Sequence, residues 1–137
     1  MPDYEKLHQE ILEAHPESIL RHGSLNRMAL KAHAANLRWW TRADGTKIER
    51  NKGEMIALMH SELSEMLEGV RKDSLDSHLP HRPSEEVELA DLFIRALDYA
   101  GAFELDLDGA VAEKMAFNAQ RTDHKHEHRD APGGKKF

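Results

Sequence analysis

Glu62 and Glu65 stand three residues apart in HSELSEMLEG, and Glu88 and Asp91 stand three apart in EVELADLF, 22 residues further on. On a helix, positions i and i+3 share a face, so each pair presents adjacent carboxylate oxygens. Two such helices packed antiparallel would bring four carboxylates around one space. The chain has no cysteine, and neither helix carries a histidine at i+3 of an acid. An all-oxygen donor set of this kind points to Mg2+, with Mn2+ as a substitute, rather than to zinc or a di-iron centre. Glu62, Glu65, Glu88 and Asp91 are therefore the candidate metal ligands and the candidate catalytic residues.

The elements that carry these acids have apolar faces of their own. At ~100° per residue, Met55, Met59, Leu63, Met66 and Val70 fall within one sector of roughly 80°, and Glu62 lies on its border. A glutamate at that border can reach water with its head, so this helix alone does not require a metal. The second helix is more demanding. Leu89, Leu92, Phe93, Ile94, Ala96, Leu97, Tyr99 and Ala100 surround most of it, leaving one polar strip of Glu88, Asp91, Arg95 and Asp98. Such a helix is expected to be largely buried, and unpartnered buried carboxylates are costly. Arg95, four residues after Asp91, offsets one of them, and a divalent cation would satisfy the rest.

A third segment adds complementary charge. Lys114, Asn118 and Arg121 recur at i, i+4 and i+7, forming a cationic and amide stripe. A metal cavity facing such a stripe meets the needs of a nucleoside triphosphate: the metal bridges phosphate oxygens, the cations take remaining charge, and the amide reads base or sugar. Ordinary surface lysine and arginine are the competing reading of the stripe.

β-Branched residues are sparse and no period-2 alternation is sustained, so the chain is expected to be all-α. Helices are predicted over 3–14, over 25–40 after an N-cap at Ser24, over 54–72, over 85–101 after a cap at Ser84, and over 109–121 after a cap at Asp108. The first 121 residues then form one helical domain, a four- to five-helix bundle, and 122–137 form a flexible tail holding His124, His126 and His128. Residues 41–53 read as a polar, glycine-punctuated loop whose Arg42, Lys47, Arg50 and Lys52 either close over phosphates or stay solvated. Trp39 and Trp40 are adjacent and cannot face the same way. Trp40 shares a face with His33 and Asn36 and is the candidate for stacking on a base, with a core or interface role as the alternative. The exposed apolar surface implied for so small a chain calls for dimerisation. Net charge is −6 with histidines neutral, and no basic recognition helix appears, so nucleic acid is not an expected partner. No apolar run reaches ~18 residues and no basic-then-apolar leader opens the chain, giving no membrane partner and, by default, a cytoplasmic location.

Taken together, HSELSEMLEGVRKD, EEVELADLFIRALDYAGAFELDLDGAVAEKMAFNAQR and the closing GGKKF resemble the MazG-like all-α nucleoside triphosphate pyrophosphohydrolases, in particular short, phage-type single-domain members. The similarity covers about residues 51–121 and returns at the C-terminus; residues 1–50 match poorly. The resemblance implies a helical bundle, a homodimer or homotetramer, that uses Mg2+ to hydrolyse a ribo- or deoxynucleoside triphosphate to the monophosphate and pyrophosphate. It implies Glu62, Glu65, Glu88 and Asp91 as Mg2+ ligands and Lys114, Asn118 and Arg121 as substrate-binding residues. A dUTPase-like or phosphoribosyl-ATP pyrophosphohydrolase-like activity would use the same metal site. A non-enzymatic helical dimerisation module, its acids paired with its own cations, is the alternative of another class.

Overall fold

The computed structural model describes Lys6, residues 24–121 and residues 126–134. Among these residues all regular structure is helical, and the only extended pairings are two isolated bridges, Thr41 with Lys47 and Leu75 with Pro83. The helix expected over 3–14 lies outside the described residues apart from Lys6. The chain divides into two compact units, Met1–Leu105 and Asp106–Phe137.

In the first unit, α1 spans Leu25–Ala35. Ser24 caps it as expected: its backbone is extended and its Oγ accepts from the Arg27 N–H at 3.4 Å. The helix stops five residues before the expected end at Trp40. Asn36 leaves the helical conformation (φ −99°, ψ 8°), and both its backbone N–H and its Nδ2 donate to the Ala32 carbonyl at 3.1 Å, so its side chain folds back on the last turn. A single 3-10 turn, Leu37–Trp39, follows. This break carries Trp39 off the helix and away from its buried face. Trp39 is 58% exposed, and the buried positions of α1 are Ala29, Ala32, His33 and Ala34.

α2 spans Lys52–Lys72, starting two residues before the expected boundary because Asn51 caps it, accepting from the Glu54 N–H at 3.1 Å. Arg71 and Lys72 occupy the last turn, where the helix dipole favours cations, and Asp73 closes it in the left-handed conformation (φ 47°). The loop 73–83 is tied down by Asp76, whose Oδ1 accepts from the N–H groups of His78 at 2.9 Å and Leu79 at 2.6 Å.

α3 spans Ser84–Ala102. Ser84 does not cap it. Pro83 holds the cap position without a side-chain bond, which puts Ser84 inside the first turn, where its N–H donates to the Ser74 carbonyl at 2.9 Å. Glu85 and Glu86 sit in the first turn, where the helix dipole favours acids.

α3 is the centre of this unit and packs against both α1 and α2. It runs antiparallel to α2: Gly69 meets Ser84 and Glu85 at one end, and Lys52 lies over the rings of Phe103 and Tyr99 at the other. Against α1 the contact is at Gly101, where a Cβ would sit 2.3 Å from the Ala29 carbonyl oxygen. Leu97, Ala100, Ala29, Ala32 and Ala34 form the core here, joined by Met55 of α2. The expectation that α3 is buried along its length holds only for this C-terminal half. Leu89, Phe93 and Ile94 are exposed, as are Ile56, Leu63, Leu67 and Val70 of α2.

The second unit contains α4, Leu107–Gln120, and α5, a four-residue helix at His126–Arg129 in the segment expected to be an unstructured tail. α4 is capped by Asp106, whose Oδ1 accepts from the Gly109 N–H at 3.0 Å. The expected cap, Asp108, lies instead in the first turn. Among the described residues no helix is long and apolar enough to cross a membrane.

Candidate functional site

Three of the four candidate ligands come together. One carboxylate oxygen each from Glu62, Glu65 and Glu88 lies within 4.8 Å of the others. The cause is the antiparallel α2–α3 pairing: the i, i+3 spacing on α2 supplies two oxygens, and Glu88, one turn into α3, faces them. Glu62 is buried, Glu88 half-buried and Glu65 exposed, so the cluster runs from the helix interface outward. Asp91, the fourth candidate, is exposed and outside this threesome, but close enough for the Glu62 charge to act on it.

The electrostatics are those of a crowded acidic site. Partial burial, then repulsion from Glu65, Glu62, Asp91 and Asp76, pushes the Glu88 carboxyl above its ordinary value. The Asp91 carboxyl is also raised, by partial burial first and then by Glu62, against an opposing pull from Arg95. Asp76 contributes to both shifts and was not among the candidates. It is buried in the α2–α3 loop, and its spacing from His78 and Leu79 signals only the loop turn it makes.

Arg95 does not bond Asp91 across one helical turn, as the i, i+4 spacing implied. Its Nε donates to Glu62 Oε1 at 2.5 Å, across the helix interface. Glu62 is the more buried acid, with its side chain only 7% exposed, and the strongest desolvation draws the cation.

A second polar cluster lies at the other end of the acidic strip. Asp98 is buried and its Oδ1 pairs with His33 Nδ1 at 2.8 Å, while Trp40 Nε1 donates to both Asp98 oxygens at 3.1 Å. Trp40 packs edge-on against His33 and Phe103, and the Arg50 guanidinium lies 5.4 Å above its ring. The indole of Trp40, the candidate for base stacking, is thus held by Asp98. The helix break at Asn36 is what turns it inward, and nothing in the period of the sequence announced that break.

Between these clusters is a cavity of about 560 Å³, lined by Asn36, Trp39, Arg50, Asp91, Ile94, Arg95 and Asp98. Trp39 rather than Trp40 supplies its aromatic wall. Of the basic loop, Arg50 lines it, while Lys52 is engaged with Phe103 and Tyr99.

Lys114, Asn118 and Arg121 belong to the second unit. Lys114 lies over the Phe117 ring at 4.9 Å, and Asn118 Oδ1 is buried with no hydrogen-bond partner among the described residues. Arg121 is extended (φ −69°, ψ 123°) at the cap after α4, so the helical stripe ends before it.

No protein-family model matches the chain, and neither characterised proteins nor solved structures provide a match.

Proposed function

We propose that this chain is a Mg2+-dependent nucleoside triphosphate pyrophosphohydrolase of the MazG-like all-α type, releasing the monophosphate and pyrophosphate. The observation that carries the reading is the convergence of the Glu62, Glu65 and Glu88 oxygens beside a cavity lined by two arginines. The donor set fits the ion. Three carboxylate oxygens within 4.8 Å of one another make up the all-oxygen donor set that a hard divalent cation takes, and side-chain rotation would have to draw them closer to coordinate one. Burial first, and then the neighbouring acids, raise the Glu88 and Asp91 carboxyls, and a bound cation would oppose both effects.

Glu62, Glu65 and Glu88 would hold the metal, with Asp91 joining at the cavity edge. When bound, Mg2+ supplies Lewis-acid polarisation of the phosphate and activation of water. The protein's own part is to orient the triphosphate and neutralise its charge through Arg50 and Arg95, and to take the proton of the attacking water on one of the four carboxylates. Trp39 and Asn36 line the part of the cavity available to base and sugar. The resemblance also implies Lys114, Asn118 and Arg121, which belong to the second unit, as substrate-binding residues. The apolar strips left open on α2 and α3 support assembly as a homodimer or homotetramer, and a monomer by light scattering at micromolar concentration would refute that.

The Glu62–Arg95 pair favours one other reading, a non-enzymatic helical module whose acids are satisfied internally. Pyrophosphate release measured over the ribo- and deoxynucleoside triphosphates, dUTP included, with Mg2+ and with EDTA, separates the two. Metal-dependent release on any of them supports the enzyme and identifies the base. Inactivity across the panel sinks it, as would full turnover by Glu65→Gln or Asp91→Asn at saturating Mg2+.

A further inference from the structure

Arg95 touches two parts of the molecule at once. Its Nε is committed to the buried Glu62 carboxylate, while the side chain is 41% exposed and lines the 560 Å³ cavity together with Arg50. A guanidinium has five N–H donors in a planar fork, and the single bond to Glu62 uses one of them. The cavity also carries Asp91 and Asp98. Asp98 is satisfied by His33 and Trp40, whereas Asp91 feels Glu62 and Asp76 against the pull of Arg95 and His78. A lone polyphosphate entering would meet Arg50, but Arg95 already committed to Glu62 and Asp91 unneutralised beside it. A lone divalent cation would meet the Arg95 charge seated on one of its own ligands. Each component by itself leaves part of the site unsatisfied; a metal–polyphosphate complex brings a cation for the carboxylates and an anion for Arg95 together.

We propose that Arg95 is an exchange residue: it holds Glu62 until the metal arrives with a polyphosphate, then yields that carboxylate to the cation and turns its fork onto the phosphate opposite Arg50. This rests on the pyrophosphohydrolase reading and adds to it that metal and triphosphate bind as a unit. Arg50 is the fixed half of the clamp, held on the face of Trp40, which Asp98 anchors.

The test is Mn2+ binding followed by electron paramagnetic resonance, alone and with a triphosphate whose α,β-bridging oxygen is replaced by methylene. In the wild-type protein the analogue should tighten Mn2+ binding by at least about tenfold, within the usual range of site-to-site coupling. Arg95→Gln should bind Mn2+ alone several-fold more tightly than wild type, with the coupling reduced to roughly threefold or less. Arg50→Gln should lose coupling without that gain in metal-alone affinity. If Arg95→Gln binds Mn2+ alone no more tightly than wild type, the exchange is overturned while the enzymatic reading stands. If wild type takes up no Mn2+ even with the analogue, both fall. A readout on unaltered protein guards against misfolding of the variant. The Arg95 Nε–H resonance should move when Mg2+ and the analogue are added together, and an unmoved resonance overturns the proposal.

Discussion

The α1–α3 contact is tight enough for one methyl group to test it. In Gly101→Ala the added Cβ falls 2.3 Å from the Ala29 carbonyl oxygen, 2.7 Å from His33 Cβ and 2.9 Å from the Ala29 carbonyl carbon. The first of these is about an ångström short of ordinary contact, and the atom it meets is helix backbone, which cannot rotate away. α1 must therefore retreat from α3. Overpacking of this kind costs up to about 3 kcal/mol, and alanine's better helix propensity returns about 1, leaving a net loss of about 2 kcal/mol. For a unit of this size that lowers the melting midpoint by roughly 8–16 °C. Thermal unfolding by circular dichroism, backed by urea denaturation, measures it. Ala29→Gly should not rescue the variant, because the closest clash is with the main-chain oxygen. Gly69→Ala should cost less, since its nearest contact is the Ser84 side chain at 2.9 Å, at the start of a helix. A Gly101→Ala protein that melts at or above wild type would mean that α1 does not pack on α3 at this glycine, and the wall formed by Asn36 and Trp39 would have to be placed anew.

Three further outcomes are expected. Glu65→Gln removes one charge from the acidic cluster, so without metal it should stabilise the fold by about 0.5 kcal/mol in denaturant titrations, while turnover falls by at least about a hundredfold. Because the Glu88 and Asp91 carboxyls are raised in the folded state, the native protein binds protons more tightly than the unfolded chain. Their contribution to metal-free stability therefore declines as pH rises from the ordinary carboxylate range through the raised values. Saturating Mg2+ should oppose that decline by binding the ionised forms, and comparing wild type with Glu88→Gln/Asp91→Asn at pH 5 and 7 isolates the effect. Asp98→Asn presents an amide to one of the donors that Asp98 now receives and should cost about 1–3 kcal/mol, with a change in Trp40 fluorescence; unchanged stability would count against the His33–Asp98–Trp40 network.

The sequence by itself determined the elements. Helix patterning placed α2, α3 and α4 within two residues of their observed limits, because α2 and α3 carry apolar faces and polar or acidic residues mark the start of each helix. It also put Glu62 and Glu65 on one face, since the i, i+3 spacing sets which face a residue occupies before any partner helix is known, but not which acid of the second pair, Glu88 or Asp91, would come to them. What periodicity cannot encode is a side chain folding back on nearby carbonyls or competition between charges far apart in the chain. Asn36 left the helical conformation with its side chain bonded back to the Ala32 carbonyl, and the first helix ended there, exchanging the roles of Trp39 and Trp40. Arg95 went to Glu62, 33 residues away, rather than to Asp91 one turn back, because the more deeply buried carboxylate gains more from a cation. Asp76 joined the acidic neighbourhood only through the path of its loop. Local spacing chose the helices and their acidic faces; desolvation across the α2–α3 interface decided which charge answers which.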